Sequence, residues 1–192
     1  MEEYKETISN IFELNKIPCF MDNKRSILAN PAVEYIRAAL NVIAKDYSYE
    51  SVFRFLKAYM CPIKGDEIDI LENYVLALGI RGHKKWSQPF IRKMPTQNAL
   101  YRDLDMLNGV RKSIFELLEP LYNVFHDGEK TVDECIEVLE EFVIACNVGE
   151  NLAALKEEMI LKLKFSLAKE YEQSYEDIIY LFEQMKSLIS GE

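Results

Sequence analysis

One apolar stripe limits what this chain can become. From about Asn98 to Phe125, Leu100, Leu104, Leu107, Val110, Ile114, Leu117, Leu118 and Leu121 recur at spacings of three and four. That is the period of a helix with one buried face, and no strand can present it. The same period returns along most of the chain. Only 7 glycines and 6 prolines interrupt the 192 residues, so long helices are favoured over short strands and tight turns. The expected fold class is mainly α, an irregular helical bundle with at most one short strand near residues 17–22.

The punctuation marks the helices. Tyr4, Ile8, Ile11, Phe12 and Leu14 predict a helix over residues 2–15. Ile17-Pro18-Cys19-Phe20-Met21-Asp22 is the best strand candidate, with its proline near the start, where a strand tolerates one. Asn30-Pro31 opens the next helix, asparagine capping and proline at the first helical position. Ser48 caps a third helix to about Tyr59. Asp66 and Asp69 put carboxylates in the first turn of a fourth, which Gly79 is placed to end. Residues 80–97 lack periodicity and hold Gly82, Pro89 and Pro95, so they read as an ordered, irregular connection. Pro120 is expected to kink or split the long helix near Glu119. Thr131 and Glu134 form a capping-box signature. A break is expected at Gly149–Asn151, then a helix from Leu152 to about Tyr171. Ser174 and Asp177 are read as capping a last helix to Leu188.

Charge is distributed unevenly. The net charge is −9, yet residues 81–102 hold Arg81, Lys84, Lys85, Arg92, Lys93 and Arg102 with no acid, which leaves −15 for the rest. Such a chain is no general polyanion binder, but it could meet a phosphate backbone locally. Trp86 inside the basic stretch adds a possible stacking surface for a base. The plainer reading is a solvated loop whose tryptophan enters the core and whose charges pair with acidic helices. The DNA-contact candidates are thus Arg81, Lys84, Lys85, Trp86, Arg92 and Lys93. Asp22-Asn23-Lys24-Arg25 is either a substrate-facing turn or simply a polar one.

Catalytic signatures are missing. There is no phosphate-cradling G-x-x-x-x-G-K-[ST], no G-x-G-x-x-G, no G-x-S-x-G, and His83 and His126 form no H-x-x-x-H. Adjacent acids such as Glu140-Glu141 point about 100° apart on a helix, so they are solvated faces. Cys19, Cys61, Cys135 and Cys146 form no C-x-x-C and read as buried apolar fillers. No catalytic residue, metal ligand or cofactor is assigned within the chain, and it is not expected to be an enzyme by itself. With no secretory signal and no apolar run of about 18 residues, it is expected to be cytoplasmic and to have no membrane partner.

Three blocks carry a resemblance. Ile17 to Leu40 contains Ile17-Pro18-Cys19-Phe20, Asp22, Lys24, Leu28, Pro31, Glu34, Ile36 and Arg37. It resembles the "IP-aromatic-x-x-D-x-K…L-x-x-P-x-x-E-x-I-R" segment of AddB (RexB), the B subunit of the bacterial ATP-dependent helicase/nuclease. Tyr49-Glu50-Ser51-Val52-Phe53-Arg54-Phe55-Leu56-Lys57 resembles its "YEAVFRxLK" helix. Leu71-Glu72-Asn73-Tyr74 through Ala77, Gly79-Ile80 and Gly82 resembles "LENYxxAxGIxG", and Lys85-Trp86 the following "K/R-W". The blocks keep the family's order over residues 8–90, and residues 98–190 fit more loosely. Ile17 to Leu40 is also similar, more distantly, to UvrD-type superfamily-one helicases, where a Gly-Gly turn often stands in place of Asn23-Lys24.

The resemblance implies a parent that works with an AddA-type subunit to unwind and resect broken DNA ends for recombinational repair. It implies a hydrolase using magnesium and ATP, with a nuclease domain and an iron–sulfur cluster elsewhere; the four cysteines here do not match the cluster's spacing. It implies an internal segment: residues 1–24 as the edge of a RecA-like helicase domain and residues 25–192 as a helical insertion. The segment's expected role is structural and DNA-guiding. The alternative is a helical interaction module that docks the partner subunit.

Overall fold

A computed structural model describes residues 4–17, 26–58, 60–95 and 98–189. Among them the fold is all-α, with no strand. The expected strand at Ile17–Asp22 falls, beyond Ile17, outside the described residues, as do the Asp22–Arg25 turn and Cys19. Among the described residues, no helix is long and apolar enough to cross a membrane.

Helix α1 (Lys5–Leu14) packs against the C-terminal helix. After a 3-10 turn at Ile27–Ala29 comes α2 (Pro31–Ala44), the centre of the bundle. Asn30 caps it as expected, its Oδ1 accepting from the amides of Ala32 and Val33. Ala32, Tyr35, Ala38, Ala39 and Val42 are wholly buried. Small residues on this stripe let neighbouring helices close on α2 from several sides, and it contacts α3 (Tyr49–Leu56), α6 (Leu104–His126) and α8 (Val148–Leu161). Ser48 caps α3 by accepting from the Ser51 amide, and α3 ends three residues short of Tyr59. Helix α4 (Gly65–Leu78) stops at Gly79, which adopts the left-handed conformation. A single turn, α5 (His83–Trp86), lies inside the irregular connection.

The outer part of the bundle is α7 (Val132–Ala145), α8 and α9 (Phe165–Ile189). The capping box at Thr131 and Glu134 forms with both of its hydrogen bonds. Three boundaries differ from expectation. Of the kink or split expected at Pro120, the split does not occur, and α6 runs through it as one helix. The flanking Leu118 and Leu121 are wholly buried, and their packing outweighs the one backbone bond that a proline removes. Helix α8 starts at Val148 after left-handed Asn147, so Gly149 lies in its first turn and not at a break. A Cβ there would stand 3.3 Å from the Tyr175 ring of α9, and the glycine serves that close approach. Finally, Ser174 caps nothing. It lies within α9, where its hydroxyl donates to the Glu170 carbonyl at 2.6 Å and accepts from Asn30 Nδ2 at 2.6 Å. The break falls earlier, at Lys162–Lys164, where Leu163 takes a positive φ of 56°.

Candidate nucleic-acid interface

The basic connection is built from its backbone outward. Asp46 and Tyr47, between α2 and α3, are both left-handed (φ 45° and 51°). This turns the Asp46 carboxylate so that Oδ1 accepts from the His83 amide at 3.0 Å, and the Tyr47 carbonyl accepts from the Gly82 amide at 3.2 Å. Gly82 has φ 88°, a conformation side chains disfavour whatever the space around them. The connection is therefore pinned at its start.

Neutral groups and one buried cation hold the rest. Arg111, on α6, is 8% exposed and its Nη1 donates to the Trp86 carbonyl at 2.6 Å. Asn108, one turn earlier, accepts from the Phe90 amide at 2.7 Å and donates to the Phe90 carbonyl at 2.9 Å, as a neighbouring strand would. The Tyr74 hydroxyl donates to the Arg92 carbonyl at 2.6 Å. Backbone groups that a loop would otherwise leave to water are thus satisfied by side chains from two helices. His83 also docks sideways: its Nε2 lies 2.8 Å from Glu119 Oε2, and its ring stacks on Tyr122, centroids 3.6 Å apart, which stacks in turn on His126.

Trp86 requires a correction. It is 1% exposed and packs among Tyr47 and Phe90, with its indole in the core. A base has no face of it to stack on. The five cations lie differently. Arg81, Lys84, Lys85, Arg92 and Lys93 are all exposed. None makes an ion pair with a described residue, so the expected pairing with acidic helices does not occur. Lys85 Nζ donates to the Gly79 carbonyl at 3.0 Å, a cation against the carbonyl end of α4. Arg102 is exposed at the end of a 3-10 turn, Ala99–Arg102.

Several cations elsewhere reach carboxylates, though Lys45, Lys64 and Lys169 reach none among the described residues. Arg54 lies 2.6 Å from Glu34, Lys57 2.6 Å from Glu72, Lys156 2.7 Å from Glu172 and Lys186 2.7 Å from Glu140. Both of the first two pairs line an open groove of about 680 Å³, together with Pro31, Tyr49 and Phe53. The hydrogen bond from Lys57 holds the Glu72 carboxyl below the usual carboxylate range.

Of the three described cysteines, Cys146 is buried, as expected of an apolar filler, while Cys61 and Cys135 are half-buried. Burial pushes the Cys61 thiol up to about 11 and that of Cys146 up to about 12, and the Tyr35 hydroxyl donates to Cys146 Sγ at 3.4 Å. Among the described residues, no group of three or more histidine, cysteine, aspartate or glutamate side chains is placed to hold a metal ion.

Asn108 and Arg111 were not among the residues singled out from sequence. A signal for Arg111 was present: it stands between Leu107 and Ile114 on the buried stripe of α6, where an arginine needs a buried partner.

No family model matches the chain. Curated relatives do. It is 36% identical, over 98% of its length, to the B subunit of the ATP-dependent helicase/deoxyribonuclease of Lachnoclostridium phytofermentans. It is 33% identical over its full length to the protein of that name from Clostridium botulinum strain Hall, and 34% identical over 98% to that of Clostridium acetobutylicum. The chain spans 17% of the length of each of these relatives. From one end to the other, then, this chain is homologous to a segment of the ATP-dependent helicase/deoxyribonuclease B subunits, the family that its residues 8–90 resemble block by block.

Proposed function

We propose that the chain serves as a non-catalytic, DNA-guiding helical segment of an AddB-type helicase/nuclease protein, acting with an AddA-type subunit in the resection of broken DNA ends. The observation that carries this is the state of the five cations. In an acidic chain whose other lysines and arginines often find carboxylates, Arg81, Lys84, Lys85, Arg92 and Lys93 remain exposed without an ion pair, on a backbone held rigid by Asn108, Arg111 and Tyr74. Preplaced cations meet phosphates with little ordering cost. Residues 25–192 would form the insertion, with residues 1–24 leading in from a RecA-like domain. ATP, magnesium and an iron–sulfur cluster would belong to the remainder of such a protein.

Fluorescence anisotropy with a short duplex tests this. Binding is expected to be weak and to fall roughly a hundredfold between 50 and 200 mM salt if about four phosphates are neutralised. Lys84→Ala with Lys85→Ala should flatten the salt slope by about 2. Absence of binding at low salt, or indifference to those substitutions, removes the DNA-contact role. ATPase or nuclease activity of the purified 192-residue chain would overturn the non-catalytic reading.

A second reading has its own observation. Ile8, Ile11 and Leu14 on α1, and Tyr180, Leu181 and Leu188 on α9, are exposed apolar residues on two helices that pack together. This favours docking of the acidic outer helices on a partner subunit. Crosslinking to an AddA-type subunit through α9 without DNA would support it.

A further inference from the structure

Ile91 is 86% exposed, the most exposed large apolar side chain among the described residues. Its position is fixed nonetheless. Phe90 before it is tied through both backbone groups to Asn108, and Arg92 after it is tied through its carbonyl to Tyr74. Phe90 turns inward onto Trp86 and Tyr74, and in an extended segment the next side chain points the other way. The fold thus holds an isoleucine out in water on a braced backbone. Arg92 and Lys93 follow it directly, both exposed and without ion pairs, and residues 81–102 hold no acid. A lone exposed apolar side chain is ordinary, and Leu161 is 84% exposed too, but Ile91 is held on a braced backbone beside exposed cations whose charge suits a polyanion.

We infer that Ile91 is an apolar wedge that seats against the bases of a DNA strand while the neighbouring cations hold its phosphates. Nucleic-acid-binding proteins use small apolar side chains in this way, partly unstacking a base step. Trp86 is unavailable for base contact, and Ile91 takes over the role that the sequence assigned to it. The inference rests on the DNA-contact reading above.

The test uses the 192-residue chain, Ile91→Ala and Ile91→Ser, and a short forked duplex carrying 2-aminopurine at the junction. With the unaltered chain, 2-aminopurine fluorescence should rise as the base unstacks. Both variants should melt at the temperature of the unaltered chain, since the side chain packs on nothing. Each should lose the fluorescence rise and bind roughly three- to tenfold more weakly. The salt slope should stay unchanged, because no phosphate contact is lost. If both variants keep affinity and fluorescence while Lys84→Ala/Lys85→Ala weakens binding, the wedge is overturned and the phosphate-contact reading stands. If the unaltered chain binds no DNA at low salt, both fall together. If Ile91→Ala leaves DNA binding intact but abolishes crosslinking to a partner subunit, Ile91 anchors a protein and the wedge is wrong.

Discussion

The basic connection and the outer α8–α9 pair solve the same problem by opposite means. Each lies at the surface and needs holding. The connection is held through its backbone: Asn108, Tyr74 and Arg111 satisfy its carbonyls and amides, and its own lysines and arginines make no ion pair with a described residue. The outer pair satisfies its backbone within the helices and spends its charges on ion pairs, Lys156 with Glu172, Lys162 with Glu158, and Lys186 with Glu140 across to α7. Fixing a loop with other residues' side chains keeps its charges free for a partner. Exposed ion pairs contribute little stability and occupy the groups that a partner would need.

Four measurements probe that contrast. Trp86→Ala should cost the most, about 3–5 kcal/mol in urea unfolding, because the indole fills the junction between connection and core. A change confined to DNA affinity would return Trp86 to the surface. Next comes Arg111→Met, expected to cost about 1.5–3 kcal/mol, since the Trp86 carbonyl loses a charged donor in a buried place. Stability equal to the unaltered chain would show that Arg111 does not brace the connection. Asn108→Ala should cost about 2 kcal/mol for its two bonds to Phe90, and amide exchange at Phe90 should quicken. The smallest effect belongs to an ion pair. Glu72 has a lowered pKa in the folded chain, so its contribution is present above the unfolded carboxylate value and fades as pH falls through the folded one. Lys57 has a raised pKa, so its share is present below the unfolded lysine value and fades as pH rises through the folded one. Glu72→Gln should therefore flatten the acid limb of a stability–pH curve by about half a kcal/mol or less, given its exposure. A loss of several kcal/mol would break the contrast by making ion pairs the stronger fastening.

Legibility in the sequence follows the range of each interaction. Asn30, Ser48, Gly79 and Thr131 act on backbone within a few residues, and all four do as their residue types suggest. Ser174 carries the same local signature as a cap, yet its partner is Asn30, 144 positions away, and the spacing of a cap also occurs inside helices. The break at Leu163 uses a left-handed leucine, which no turn residue announces. Gly149 suggested a break because nothing local shows the Tyr175 ring that it makes room for. At the site, the cations were legible from charge alone. Whether they would be paired, and on which side of the backbone Trp86 would lie, depended on α6, a helix that is remote in sequence.

The seam between Asp46–Tyr47 and Gly82–His83 also governs how the segment tolerates changes of length. Both hydrogen bonds across it join consecutive residues to consecutive residues, like two adjacent teeth of a zip. An added residue between Gly82 and His83 would leave only one tooth engaged and swing Lys84 and Lys85 out of place, without touching a charge. Relatives should accordingly vary in loop length after Lys93 sooner than at that seam.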